Sequence, residues 1–148
     1  MPALAAIVSS LHVLALALGL PAVFLRGRAL RGPLDDVGLR RLFVADTIWG
    51  VAAALWLATG LLRAFAGLEK GSAFYSSSTL FWTKMTLFVL VVLLEIRPML
   101  TFIRWRAVVR RGHTPDTSHA RALYVVNHVQ MALIVVIVFV ASFMARGF

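Results

Sequence analysis

The 148-residue chain has no cysteine, six acidic residues and only two lysines. Without cysteine it can build no disulfide framework, iron–sulfur cluster or thiolate zinc site. Charged residues make up 14% of the chain and hydrophobic residues 61%. A soluble domain of this size has a large surface for its volume and needs more polar residues than that to cover it. The composition therefore weighs against a soluble enzyme. It also excludes intrinsic disorder, which goes with low hydrophobicity. Strict apolar–polar alternation is missing, which rejects a transmembrane β-barrel. No internal repeat or second domain is visible, so residues 1–148 read as one four-helix unit. The first apolar run lacks the basic flank of a secretory signal and is too long for a cleaved one, so it is read as a retained helix.

What the chain does contain is apolar sequence, with a mean hydropathy of +0.89, and a formal net charge of +9. Four apolar runs, at about 3–25, 43–64, 79–101 and 122–144, each have the ~20 residues needed to cross ~30 Å of hydrocarbon as a helix. The expected fold is an all-α, integral membrane four-helix bundle.

The positive charge has a side. Arg26, Arg28, Arg31, Arg40 and Arg41 lie around the first connection, and Arg97, Arg104, Arg106, Arg110, Arg111 and Arg121 around the third. The opposite side has Arg63, Lys70 and Arg146. Eleven against three places the first and third connections in the cytoplasm and both termini on the periplasmic or exterior side. The location that follows is a bacterial inner (cytoplasmic) membrane. The expected partners are the bilayer, with anionic lipid at its cytoplasmic face, and a further copy of the chain or a larger membrane complex. Nucleic acid is not expected.

Boundary residues agree with this layout. Asp35 and Asp36 suit the start of a short helical approach to the second span, Ser77 and Ser78 the start of the third, and Ser118 the start of the fourth. The third helix is expected to run on through Arg104-Trp105-Arg106 to Arg111 and to break at Gly112-His113-Thr114-Pro115-Asp116. Pro21 and Pro98 are expected to bend their helices. Tyr75 and Trp82 fall where an outer aromatic belt belongs.

Ionisable residues inside a membrane are costly and mark functional positions. From the helical rise, His12 lies about 14 Å and Lys84 about 8 Å below the outer surface. These two form an expected outer pair. Asp46 lies about 5 Å, and Glu95 and His128 about 9 Å, from the inner surface. With Asn127, Gln130 and Arg97 they form an expected inner polar network. Lys84 and Glu95 are eleven residues apart, which returns to nearly the same helix face. Small residues share these faces: Ala5, Ser9 and Gly19 with His12, and Gly50, Ala53 and Gly60 with Asp46. They serve helix packing first, and they also let a flat ligand approach closely.

Plainer roles compete with each assignment. Lys84 is shallow enough to snorkel to the headgroups, and His12 is as well suited to an interhelical hydrogen bond as to ligation. Asp46 and Glu95 have Arg41, Arg97 or Arg26 as alternative ion-pair partners. His113 and His119 fall in a wet loop. No catalytic residue can be assigned.

Several blocks carry a resemblance over nearly the whole chain. They are Leu11-His12, Asp46 with Gly50, Gly60-Leu61-Leu62-Arg63, Glu69-Lys70-Gly71 with Phe74-Tyr75, Phe81-Trp82-Thr83-Lys84 and Met144-Ala145-Arg146-Gly147. In this order they resemble a family of small bacterial four-helix membrane proteins known only as a domain of unknown function. The chain is also distantly similar to the haem-containing, oxygen-independent protoporphyrinogen oxidases. His12, Gly19 and Pro21 resemble that family's first-span element, at shorter spacing. Phe81-Trp82-Thr83-Lys84 resembles a later element without its His, and Asn127-His128 resembles a third with His for Glu. With those departures the resemblance implies a haem-binding bundle rather than porphyrinogen oxidation. Haem b would be the cofactor, His12 its metal ligand and Lys84 the second cofactor-binding group. A redox role with haem, a related tetrapyrrole or a quinone is therefore the first expectation. A non-catalytic accessory or assembly subunit of a larger complex is the second, and a small transporter the third.

Overall fold

The computed structural model describes residues 2–66 and 78–147. Lys70, Tyr75, Ser77 and the Glu69-Lys70-Gly71 block lie outside them. The described residues form four α-helices: α1 (Pro2–Arg31), α2 (Asp36–Phe65), α3 (Thr79–Arg110) and α4 (Ala120–Ala145). All four are long and apolar enough to span a membrane.

The helices have 26 to 32 residues, about 39–48 Å at the α-helical rise, so they outreach the hydrocarbon. The excess over the apolar runs lies mostly at the arginine-bearing end. There α1 continues six residues past Leu25, and α3 continues to Arg110, as its basic continuation predicts. The approach to the second span is part of α2 itself. Pro21 and Pro98 lie inside helices that run on past them.

The caps follow from side-chain chemistry. Asp35 accepts from the Gly38 N–H at 2.8 Å, and Ser78 accepts from the Phe81 N–H at 3.3 Å. These satisfy amide groups that have no partner inside the helix. Ser118 is not the cap of α4. The helix starts one residue later, after His119, which makes no side-chain cap bond. Asp116 instead accepts the Ser118 N–H at 2.9 Å and organises the preceding turn. Hydrogen bonding from Ser118, backbone first, holds the Asp116 carboxyl below the usual carboxylate range. The chain leaves α3 through Gly112, whose φ of 77° needs a glycine.

Neighbouring helices run antiparallel. His12 meets Thr59 and Arg26 meets Asp46, so α2 descends as α1 rises. Backbones approach closely between α1 and α2, α1 and α4, and α3 and α4. The α2–α3 seam is closed by side chains: Phe65 on Phe81, Trp56 on Phe88, Trp49 on Glu95, and Arg106 on Asp46. Gly19 lets α1 settle on α2, because a Cβ there would come within 3.3 Å of Trp49 and Ala52. Gly50, by contrast, meets nothing within 4 Å and faces outward. The interior face of α2 is Leu42, Trp49 and Trp56, at heptad spacing.

The bundle is layered along its axis. Ala64, Phe81 and Met144 pack at the end bearing the termini. Ala15, Val23, Trp49, Trp56, Val91, Ile134 and Ile137 fill the middle. Leu30, Leu39, Leu42, Phe102, Trp105 and Leu123 pack at the arginine-bearing end. The outward faces are strongly apolar; Ile7, Leu18, Val51, Leu93 and Phe139 are all exposed. Such a surface needs hydrocarbon around it, not water. The two polar regions of the interior fall between these apolar layers.

Candidate functional site

The first region lies between the middle and arginine-end layers and centres on Arg26, which is 0% exposed. A guanidinium has five N–H donors and no acceptor, so burying one in a membrane requires five acceptors around it. The other three helices supply them. The Nε donates to Asn127 Oδ1 at 2.7 Å, and one terminal nitrogen to Asp46 at 3.1 Å and Glu95 at 2.6 Å. The other terminal nitrogen donates to Glu95 at 2.9 Å and Gln130 at 2.9 Å. The Arg26–Glu95 contact is therefore the bidentate fork that best matches the two groups.

The partners are fixed in turn. Glu95 also accepts from Trp49 Nε1 at 3.0 Å and Gln130 Nε2 at 2.6 Å, and Asn127 Nδ2 donates to the Val23 carbonyl at 2.8 Å. Asp46 accepts a second cation, Arg106, at 2.9 Å, and the same nitrogen reaches the Phe43 carbonyl and Thr47. Two guanidinium and two carboxyl groups thus balance in formal charge. The rings of Trp49 and Phe102 lie 5.9 and 5.7 Å from the Arg26 guanidinium, within cation–π range.

The inner-network residues Asp46, Glu95, Asn127 and Gln130 are brought together here. His128 is not among them. It lies about 100° around α4 from Asn127, on the side away from Gln130. Its Nδ1 contacts the Tyr124 carbonyl of its own helix at 3.0 Å, and its ring packs on Tyr124 at 4.1 Å. Arg97 is exposed, and Arg26 takes its place at the centre. The sequence signal for Arg26 is the spacing His12–Gly19–Arg26, two steps of seven residues that keep all three on one face of α1.

The second region is a cavity of about 700 Å³ at the termini-bearing end, lined by all four helices. His12 of α1 and Lys84 of α3 both line it, with Trp56, Gly60, Arg63, Met85, Phe88 and Ser142 among the other walls. The depth estimate from sequence puts both residues in the outer half of the bundle, and both line this one cavity. His12 Nδ1 lies 2.9 Å from Thr59 Oγ1. The single Thr59 hydroxyl proton is directed to the carbonyls of Leu55 at 2.6 Å and Trp56 at 3.2 Å. Thr59 Oγ1 is therefore placed to accept from His12, so Nδ1 carries a proton; when the imidazole is neutral, Nε2 is then the nitrogen with the lone pair. The ring stacks on Trp56 at 5.7 Å. Gly60 makes room for it, since a Cβ there would stand 3.2 Å from His12 Cε1. Lys84 Nζ lies 5.8 Å from the Phe81 ring. Among the described residues no group of three or more His, Cys, Asp or Glu comes together as a metal site.

An antiparallel bundle of four membrane-length helices, pinned by a buried ion network and holding a cavity lined by all four, defines a polytopic integral membrane protein. The chain belongs to the family described as "Predicted membrane protein (DUF2214)", which matches residues 4–148. No curated protein and no solved structure matches it.

Proposed function

We propose that this is a haem b-binding protein of the bacterial inner membrane with a redox role, and that the cofactor sits in the termini-side cavity. What carries the reading is the state of His12. A ligating imidazole characteristically donates its other ring N–H to an oxygen that fixes tautomer and orientation, and Thr59 is that oxygen for His12. The cavity's volume of about 700 Å³ falls within the roughly 300–1,000 Å³ of pockets that take such ligands. Its walls are largely aromatic and aliphatic, and they carry the cations Lys84 and Arg63, the charge that an anionic edge such as a pair of propionates would meet. When bound, haem would supply one-electron chemistry. The chain's part is to ligate through His12 Nε2, neutralise the carboxylates and keep water out.

The test is the absorption spectrum of protein purified in mild detergent from haem-replete cells. A Soret band is expected, absent from folded His12→Ala and weakened on washing in Lys84→Ala. A colourless wild-type preparation rejects the reading. Unchanged haem retention in Lys84→Ala would assign that lysine to the headgroups instead.

A further inference from the structure

The indole N–H of Trp56 is buried without a hydrogen-bond partner. The residue is 8% exposed, stacks on His12 on one side and meets the edge of Phe88 on another. The other buried indole described in the middle of the bundle, Trp49, donates to Glu95 at 3.0 Å. A buried donor without an acceptor is costly. Phenylalanine would fill an apolar wall without that penalty, so a tryptophan here calls for an acceptor from outside the chain. Trp56 lines the same cavity as His12 and Lys84.

We infer that Trp56 is a ligand-binding residue of this cavity, its Nε1–H donating to an acceptor oxygen on the bound molecule. The ligand class is then a flat, apolar molecule bearing a carboxylate or carbonyl oxygen close to the His12 ring. The stacked rings hold the two groups side by side, so ligation by His12 and donation by Trp56 would act on the same occupant. The inference rests on the reading above that the cavity holds a ligand, and sharpens it by naming what the ligand must carry beside the atom that His12 meets.

The test uses two probes on the full chain in detergent: haemin, with carboxylates, and decylubiquinone, with carbonyls. Trp56→Phe keeps an aromatic ring against His12 and removes the donor. About tenfold weaker binding is expected for whichever probe the wild type binds. On saturation of the wild type, the Trp56 indole N–H resonance should move downfield while that of Trp49, already bonded to Glu95, stays in place. If the wild type binds only the quinone and Trp56→Phe weakens it, the Trp56 assignment stands and the haem reading fails. Unchanged affinity in a folded Trp56→Phe overturns the inference. So does binding of neither probe, or, should the variant not fold, a Trp56 resonance that does not respond to ligand.

Discussion

At the scale of single residues, Arg26 and His12 show the same principle acting on different groups. Each is a polar side chain in an apolar bundle, and each is specified by where its donors go. Arg26 spends all five on acceptors from three other helices. Removing one member of such a set leaves the others buried and uncompensated, which costs about 3–5 kcal/mol. Arg26→Met should therefore destabilise the protein by about that amount, read by unfolding in mixed micelles. Removing both sides of the strongest pair should be milder. Arg26→Met with Glu95→Gln is expected to recover a substantial part of the loss, because the surviving Arg106–Asp46 pair is balanced on its own. A double variant as unstable as the sum of its singles would show that Arg26 and Glu95 are not coupled. Arg26→Lys should not rescue, since an ammonium cannot supply five donors in a fixed plane.

At the scale of elements, the sequence made the helices legible and their interior faces only partly so. Length, hydropathy and the basic flanks identify four spans, and the caps at Asp35 and Ser78 follow from residue type. The inner cluster of Asp46, Glu95, Asn127 and Gln130 was readable because membranes penalise such residues unless they face inward. Arg26 is legible only as one of three alternative ion-pair partners for Asp46 and Glu95, because an arginine one residue beyond an apolar run reads first as a topology marker until the helix is known to continue to Arg31. His128 and Gly50 misled because depth and composition do not fix rotation, and both turn away from the network. The unpartnered indole of Trp56 was invisible, since only coordinates say whether a donor has found an acceptor.

Packing at Gly27 tests how tightly α1 and α4 are fitted. A Cβ there would stand 2.7 Å from Asn127 Nδ2, and Asn127 is held at both ends, by Arg26 and by the Val23 carbonyl. Gly27→Ala should cost roughly 1–3 kcal/mol by driving the amide from its partners. The same substitution in an Asn127→Ala background should cost much less. Equal costs in the two backgrounds would mean that the clash is relieved elsewhere.

At the scale of the whole molecule, the arginines divide into two kinds. Arg26 and Arg106 hold the fold together, and the rest of those around the first and third connections are the expected markers of a side. By the positive-inside rule the first and third connections should face the cytoplasm. A C-terminal alkaline phosphatase fusion should therefore be active, and a C-terminal green fluorescent protein fusion dark when exported unfolded. The reverse pattern would invert the topology, and with it the membrane leaflet nearest the His12 cavity.

The way the Arg26 donors are shared among helices also sets an order of events during synthesis. The arginine enters the membrane with α1, but its acceptors arrive later: Asp46 with α2, Glu95 with α3, Asn127 and Gln130 with α4. Until the last helix has been made, its Nε and one other N–H lack their native partners. The growing chain must then keep that guanidinium near headgroups and water, because the bilayer centre would penalise it. Only a chain translated through α4 can draw Arg26 inward and lock the bundle. A product ended before α4 therefore keeps a charged group that it cannot bury.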